Sequence, residues 1–472
     1  MTDGTPQTRS KRDLTSGSLT WNLFRLGAPL AAQTFLHSLY NLADAFWLGR
    51  WSKTALASQA VCWPFFFVVF GLVISFGNAG TALVSQYTGA GRERRADQAA
   101  AQTVLLLALL GLAAAVPMWL FTRQIFHLVR VPERAVSGAV TYLRISLLAF
   151  PLMGFTIAYA SCLRALGDTV TVLLISLVAN VLNIALDPVL IHGWLGMPAL
   201  GTGGAAVASL SARVVEVFVC YAFLQRGRAG LHIRLPDLKP HWPTLARMGK
   251  VGFPLAVNRS SDSLGFVLFQ TMVNVLGTTV IGAFTVGFRI IFFFTIPARA
   301  GAMAAAPIVG QALGAKKPRL ARRAVRLCAG LVAAVLLLPL LFLLLHGKAV
   351  AGLFVEDAAV VAEAGRFFKV VPASSYFFGV IMVLMAAFYG SGHTTPAMII
   401  GFVRLWVLRL PVAYVLAFVM AWGSMGIYTA MVAANIVCAV LAFAMFKQGG
   451  WQKAVVPTGP EEEPQIDADE RG

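Results

Sequence analysis

The chain has 472 residues, of which 58% are hydrophobic and only 12% are charged, whereas soluble domains carry roughly 25% charged residues. Its formal net charge is +18, but the basic residues cluster in short loops between apolar stretches, as they do in membrane proteins. The composition therefore argues against a soluble enzyme and against a nucleic-acid-binding protein. It indicates an all-α polytopic membrane protein.

Apolar stretches long enough to cross the hydrocarbon core as a helix, roughly 20 residues, recur along the whole chain. Examples are "TVLLLALLGLAAAVPMWLF" and "LCAGLVAAVLLLPLLFLLL". The stretches are continuously apolar, so they predict helices and not the alternating strands of a membrane barrel. Twelve spans are predicted in chain order, at residues 21–48, 56–86, 99–121, 135–158, 169–193, 203–224, 246–272, 279–311, 325–346, 362–388, 395–420 and 424–446.

Lys and Arg set the predicted orientation. They are concentrated before the first span and after the second, sixth and eighth spans, which all lie on one side if there are twelve spans. Because cytoplasmic loops carry the excess of basic residues, we expect a multi-pass protein of the plasma membrane (a cell inner membrane) with both termini in the cytoplasm. The N-terminal segment lacks the apolar core of a cleavable signal peptide.

An internal repeat organises the sequence. "GAPL" at 27 matches "GFPL" at 252, "VSQYTGAG" at 84 matches "VGQALGAK" at 309, and "LGDT" at 166 matches "SGHT" at 391, each at an offset of 225 residues. An even number of spans per half predicts two parallel six-helix bundles related by a pseudo-two-fold axis along the membrane normal, with a cavity between them. The predicted segments are an N-terminal segment 1–20, an N-lobe 21–224, a cytoplasmic linker 225–245, a C-lobe 246–447 and a disordered tail 448–472.

Two bundles around a shared cavity favour a carrier over a channel. The five cysteines are isolated, the seven histidines form no zinc motif, and no P-loop or nucleophile elbow is present. We therefore expect no enzyme activity and no cofactor. Transport energy should come from an ion gradient or from a partner protein.

Polar residues in two apolar spans predict a functional site. The first span carries Gln33, His37, Asn41 and Asp44 at spacings of four, four and three, which places them on one helix face. Lipid would reject such a face, so it should look into a lobe or a cavity. The partners predicted at similar depth on the fifth and sixth spans are Asn180, Asn183, Asp187 and Ser209.

This pattern is confined to the first half. Positions 225 residues after Asn41 and Asp44 hold phenylalanines, and those after Asn180 and Asn183 hold leucines. A role needed only for folding would be expected in both halves, so the asymmetry suggests a specialised task. Two neighbouring carboxylates in a poorly solvated pocket can hold a proton at neutral pH, or offer their oxygens, with those of the amide and hydroxyl groups, to Na⁺.

Several motifs together resemble the multidrug and toxic compound extrusion (MATE) transporters over residues 20–447. They are "APLAAQ" in the first span, "VSQYTGAG", "LRALGDT", "NIALDP", "GTGGAAVAS" and "VGQALGA". The resemblance implies a V-shaped cleft between two lobes and drug export driven by proton or sodium entry. The pattern is most similar to the DinF-like branch, which implies a coupling site at Asp44, Asn183, Asp187 and Ser209, with Tyr142 lining it, and a hinge at Pro29.

Structural explanations compete with these roles. Asp44 could pair with Arg50 at the interface, and Asp187 could serve the helix break at Pro188. His37 is more simply a hydrogen-bonded interior residue than a proton carrier.

In the C-lobe, Asp262 lies where the resemblance places an acid of the NorM-like branch. It could instead pair with Arg289, an unusual cation within an apolar span. Both are auxiliary candidates.

The sequence predicts a secondary active exporter of drug-like, cationic or amphipathic small molecules, coupled to H⁺ or Na⁺. We expect it to work as a monomer in contact with membrane lipid and without nucleic acid. A lipid or lipid-linked oligosaccharide flippase of the same topology is the alternative, and a non-transporting membrane enzyme or scaffold is a second one.

Overall fold

The computed structural model describes residues 13–128, 133–227 and 230–457, and these residues are almost entirely helical. The first half contains α1 (Leu19–Trp51), α2 (Lys53–Gly89), α3 (Glu93–Leu120), α4 (Thr122–Leu128), α5 (Glu133–Ala165), α6 (Thr169–His192) and α7 (Thr202–Gln225). The second half contains α8 (Trp242–Val275), α9 (Thr278–Phe294), α10 (Ile296–Gly314), α11 (Pro318–Gly352), α12 (Ala358–Ser391), α13 (Thr395–Phe402), α14 (Leu410–Tyr414) and α15 (Ser424–Gln448). The π-helical stretch Val403–Arg409 joins α13 to α14, and a second one, Val415–Val419, continues the same rod beyond α14.

Each of the twelve predicted spans corresponds to a helical rod, and the all-α two-bundle architecture is confirmed. Nine helices in the described part of the chain are long and apolar enough to cross a membrane, and the bent pair α9–α10 makes ten. The two remaining rods are α1 and α8, the first helix of each half. Both carry several polar residues in mid-helix, which is typical of helices that face a protein interior and not lipid alone.

The sequence predicts the eighth span as one continuous helix over 279–311, and the structure divides it into two helices. The chain bends by 43° between α9 and α10, at Thr295. Pro297 has no N–H to donate to the carbonyl four residues earlier, and its ring disfavours a continuous helix. At the bend the Thr295 hydroxyl donates to the carbonyl of Phe292 at 2.8 Å.

The contact surface between the two bundles, which we call the seam, is formed by α1, α2, α8 and α10 and follows the sequence repeat. Helix α1 packs on α10, and its pseudo-equivalent α8 packs on α2, while α2 and α10 also pack on each other. Leu23, Leu26 and Leu30 of α1 are buried in one cluster with the alanines of α10. The first helix of each half therefore crosses to the opposite bundle, and small residues permit the close approach.

Two glycines set the closest crossing of the seam. Gly89 ends α2 and Gly314 ends α10, and they are 225 positions apart in the repeat. A Cβ at Gly314 would overlap the carbonyl of Gln86, and a Cβ at Gly89 would overlap the carbonyl of Gln311. Both positions therefore require glycine for steric reasons, at the end of the molecule that holds Leu14 and Val455.

The two glutamines of the same motif hydrogen-bond across the seam. Gln86 Nε2 donates to the carbonyl of Gly390 at 3.0 Å, and Gln311 Nε2 donates to the carbonyl of Ala165 at 2.9 Å. Positions 165 and 390 are again 225 apart, so this pair of bonds obeys the pseudo-two-fold axis. Each glutamine joins the end of one bundle to a helix end of the other.

The segments that flank the two bundles bind these same glutamines. Gln311 Oε1 accepts from the backbone N–H of Leu14 at 2.9 Å, and Gln86 Oε1 accepts from those of Val455 and Val456 at 2.9 and 3.3 Å. The structure therefore differs from the predicted disordered tail up to residue 457, because Trp451 is also buried, stacked on Phe446. Residues 1–12 and 458–472 lie outside the described residues.

We predict that Gly314→Ala destabilises the protein strongly, whereas Gly330→Ala does not. The new methyl group at 314 meets backbone, which cannot rotate away, and overpacking of this kind costs about 1–3 kcal/mol or more. Gly330, on α11 of the same lobe, has no atom within 4 Å of its potential Cβ. The melting temperature of the purified protein in detergent should fall for the first variant only. Equal melting temperatures for the two variants would contradict the close crossing.

Candidate functional site

Asp44 is buried near the end of α1, with only 3% of its surface exposed. Its Oδ2 accepts a hydrogen bond from the side-chain amide of Gln59, which also donates to the Tyr142 hydroxyl at 3.3 Å. Asp44 Oδ1 has no hydrogen-bond partner among the described residues. The carboxylate therefore keeps one free acceptor inside the lobe.

Asp187 and Asn183 face the same interior from α6. Asp187 is fully buried and Asn183 is 1% exposed. Neither carboxylate oxygen of Asp187 finds a partner in the described part of the chain, and the same holds for Asn183 Oδ1. The Asn183 amide donates to Ser209 Oγ on α7 at 3.3 Å, so the predicted amide–hydroxyl contact exists.

Tyr40 connects the two parts of the site. Its hydroxyl lies 3.1 Å from Ser209 Oγ, in a hydrogen bond in which either oxygen can donate. The phenol interacts electrostatically with both Asp44 and Asp187, and the two carboxyl groups interact with each other. The structure therefore brings Asp44, Asp187, Asn183 and Ser209 together, as the sequence predicts.

Two members of the site were missed by the sequence analysis, Gln59 and Tyr40. Gln59 follows the first loop, at the edge of an apolar span, and a polar residue there is ordinary. Tyr40 lies one residue away from the polar stripe of α1. A search for amide and hydroxyl groups at the depth of Asp44 would have found both.

The remaining residues of the stripe have other contacts. Gln33 Nε2 donates to Ser176 Oγ on α6 at 2.7 Å, which ties α1 to α6. Asn41 donates to the backbone carbonyl of His37 at 2.9 Å, and the His37 ring lies against Tyr40. Asn180 has a buried amide nitrogen without a partner among the described residues. These groups border the site but do not contact its carboxylates through hydrogen bonds.

The competing explanation for Asp44 finds no support in its contacts. The Arg50 guanidinium lies over the Phe46 ring, 4.8 Å from its centroid, while Asp44 turns inward to Gln59. Pro29 lies inside α1, which is helical from Leu19 to Trp51, so its role as a hinge stays a prediction.

In the C-lobe, the suggested pairing of Asp262 with Arg289 is wrong. Asp262 forms its ion pair with Arg404, at 3.0 Å. Arg289, on α9, is exposed, whereas α8 packs directly on the rod that carries Arg404. In the sequence, Arg404 is recognisable as a possible partner because it is an arginine inside the eleventh apolar span.

The oxygen atoms of this site are suited to binding a small hard cation or a proton. Two carboxylates and one amide have buried oxygens without a hydrogen-bond partner among the described residues, with hydroxyls nearby, and oxygen ligands suit such cations. No group of three or more His, Cys, Asp and Glu side chains that could hold a metal occurs among the described residues. An ion here would therefore rely on two carboxylates supplemented by neutral oxygens.

Comparison with known proteins agrees with this fold. The sequence model of the MatE family matches residues 29–189 and again 254–415, once in each half. The chain is 27% identical over 450 residues to a probable multidrug resistance protein NorM of Thermotoga maritima, covering 92% of this chain and 94% of the relative. It is also 27% identical over 431 residues to a probable multidrug resistance protein YoeA of Bacillus subtilis, covering 90% and 92%.

Solved structures give the same result. Crystal structures of MATE in complex with MaD3S and of MATE in the straight conformation each superpose with a TM-score of 0.86 at 25% identity, over 92% of this chain and 97% of theirs. The chain belongs to the MATE family. Its family and relatives point to a multidrug efflux transporter of the membrane and not to an enzyme, while the DinF-like branch is not confirmed by these relatives.

We predict that Asp187→Asn raises the melting temperature at pH 8 in sodium-free buffer. A buried carboxylate without hydrogen bonds is costly when ionised, and an amide of the same shape removes the charge. The difference from the wild type should shrink at pH 5, because protonation then neutralises the wild-type carboxyl.

Glu356→Gln is the matched control, since Glu356 is exposed in a loop. It should change the melting temperature at neither pH. A wild type that is more stable than Asp187→Asn at pH 8 without sodium would show that Asp187 has a stabilising partner.

Proposed function

We propose that this protein is a secondary active multidrug exporter that exchanges organic compounds for H⁺ or Na⁺ by alternating access. The observation that carries the proposal is the buried pair Asp44 and Asp187, with unused oxygens in one lobe of a transporter fold. Buried carboxylates must be neutralised by a proton or a cation. A site that needs a positive ion, set in a carrier, is suited to ion coupling.

The cation would enter from the side opposite Gln86 and Gln311, where the sequence predicts the exterior. Binding neutralises the pair and changes the interactions of α1 with α6 and α7 through Tyr40, Asn183 and Ser209. An ion shifts a conformational equilibrium only by its different affinity for the two states. Because α1 also packs on α10 across the seam, a bend at Pro29 would pass this change to the contact between the lobes.

The other requirement of alternating access is a seam that can open at the end that holds Gln86 and Gln311. There the lobes are held by the paired bonds of these glutamines and by the glycine crossing. The glutamine bonds can be exchanged for water at modest cost, since a neutral hydrogen bond contributes about 0.5–1.5 kcal/mol net. The arrangement supports a state that is closed on this side.

A lipid or lipid-linked oligosaccharide flippase is the second candidate. Arg259, Arg299, Arg404 and Arg409 in membrane helices of the C-lobe favour it, because phosphate groups bind arginine well. A non-transporting membrane enzyme or scaffold has no comparable support.

We predict that Asp44→Asn abolishes gradient-driven efflux while the protein still folds. The amide keeps the hydrogen-bonding shape of the site but cannot take up a proton or neutralise Na⁺. Purified protein in liposomes, loaded in separate preparations with the cationic dye ethidium or the anionic dye 1-pyrenebutyrate, should export at least one of them under an imposed proton gradient or sodium gradient, each applied separately. Size-exclusion profile and melting temperature report folding.

Glu356→Gln serves as the control and should transport like the wild type. Undiminished efflux by Asp44→Asn under the gradient that drives the wild type would refute coupling at this site. A wild type driven by one gradient only identifies the coupling ion.

We also predict that the double variant Gln86→Ala and Gln311→Ala populates a state open at the end of the molecule where these two residues lie. Ser391→Cys, placed in this end and fully buried, should react faster with a charged maleimide in the double variant. The five native cysteines are buried, so their background reaction is slow. Equal labelling rates with and without the glutamines would contradict their role in closing the seam.

A further inference from the structure

The C-lobe carries an excess of positive charge near the middle of its membrane helices. Arg259 lies on α8, Arg299 on α10, and Arg404 and Arg409 on the π-helical stretch that follows α13. Asp262 is the carboxylate that interacts with Arg404 and Arg409, and Arg299 interacts electrostatically with Arg259. Arginines within membrane helices are rare and mark substrate or ion pathways.

Arg404 and Asp262 form the centre of this group. Their ion pair measures 3.0 Å, and Arg404 is 12% exposed while Asp262 is 39% exposed. The Arg404 guanidinium also lies over the Phe378 ring on α12, 4.8 Å from its centroid. The single carboxylate therefore engages one guanidinium and remains open on its other side.

Arg409 is the most deeply buried of the four, with 8% of its surface exposed. It donates to Asn435 Oδ1 at 3.3 Å and lies 5.7 Å from the centroid of Phe269. Its Nε has no partner among the described residues. Arg404 and Asp262 both interact with it electrostatically, with opposite signs.

Arg259 and Arg299 extend the group to the seam between the lobes. Arg299 lies over the Phe292 ring at 4.6 Å, and its buried Nε has no partner within the described residues. Arg259 is exposed, and its Cβ would lie 3.5 Å from a Cβ at Gly71 on α2 of the opposite lobe. The group of four arginines therefore extends to the seam between the two lobes.

The fold does not require these charges. The positions 225 residues before the four arginines hold uncharged side chains in the N-lobe. The charge of the C-lobe arginine group is therefore absent from the equivalent positions of the N-lobe. The N-lobe residues at the four equivalent positions are Thr34, Ile74, Ala179 and Ile184.

We propose that this arginine group binds the anionic part, a carboxylate or a phosphate, of an amphipathic substrate. Four guanidinium groups and one carboxylate leave three positive charges in apolar surroundings, and charge-assisted bonds from arginine suit both anions. The rings of Phe269, Phe292 and Phe378 line the same group and would contact an apolar body. As a transport site the inference rests on the proposed export function, but binding itself does not.

The proposal changes one part of the sequence-based expectation. Amphipathic compounds remain the expected substrates, whereas purely cationic compounds would be repelled from the C-lobe. A molecule with an anionic head would occupy the arginines while the carboxylate pair of the other lobe takes the coupling ion. The two sites would then bind opposite charges in separate lobes.

The test uses three probes with one apolar body, 1-pyrenebutyrate, 1-pyrenebutanol and 1-pyrenebutylamine, and the full-length protein in detergent. Energy transfer from tryptophan to pyrene measures binding without any ion gradient. We expect pyrenebutyrate to bind about tenfold more tightly than the amine, and Arg259→Gln or Arg404→Gln to remove about that factor, in line with a charge-assisted hydrogen bond. Binding that persists while Asp44→Asn blocks efflux separates this proposal from ion coupling.

Asp262→Asn separates charge from packing. It breaks the ion pair with Arg404 but increases the net positive charge, so we expect tighter binding of pyrenebutyrate. A purely structural ion pair would instead give weaker binding together with a lower melting temperature. Arg144→Gln is the control, because Arg144 is an intramembrane arginine of the N-lobe that lies over Trp119; it should leave binding unchanged.

A competition experiment shows whether the bound anion comes from a lipid phosphate headgroup or from a small carboxylate. Displacement of pyrenebutyrate by dioctanoyl phosphatidic acid at lower concentration than by octanoate would indicate a lipid phosphate headgroup and support a flippase. The reverse order would indicate small carboxylates. Equal or tighter binding of pyrenebutylamine, or binding of pyrenebutyrate that is unchanged in folded Arg259→Gln and Arg404→Gln, would overturn the proposal.

Discussion

The electrostatics of ionised side chains inside a membrane protein constrain this structure more than any other interaction. A charged residue at the centre of a membrane helix costs about 2.5–3.5 kcal/mol even on permissive insertion scales. This chain places two carboxylates in the interior of one lobe and four arginines in the other. Such charges persist where each can meet a counter-charge, and here several of their polar atoms lack a partner within the described part of the molecule. Incomplete neutralisation by the protein itself leaves room for a mobile ion and a mobile substrate.

The repeat explains why the two lobes can differ in charge while sharing one architecture. The residues that the pseudo-symmetry preserves are those of the seam, namely the glycines and glutamines at the ends of α2 and α10 and the helix ends that they contact. They are fixed by close backbone approach, which tolerates little change. The interior positions of each lobe are free of that constraint, so one lobe could acquire carboxylates and the other arginines.

Much of the site could be predicted because helical spacing is a strong signal in a membrane chain. Asp44, Asn183 and Asp187 stand out from apolar neighbours, and their spacing puts them on single faces. Gln59 lies close to the first loop, where a polar residue attracts no notice, and the partner of Asp262 could not be chosen from the sequence, because such contacts depend on which rods are neighbours. The bend at Thr295 and the packed segment around Trp451 also required tertiary structure, since local composition alone predicts a continuous helix and a free tail.

The central claim is that the carboxylate pair holds a positive ion that substrate binding releases. Ion release on substrate binding tests it most directly, using purified protein in weakly buffered solution with a pH indicator and a sodium-selective electrode. We predict that addition of a transported compound releases H⁺ or Na⁺ from the wild type, in proportion to the protein, and that Asp44→Asn combined with Asp187→Asn binds the compound without release. Binding without ion release by the wild type, or unchanged release by the double variant, would contradict the account.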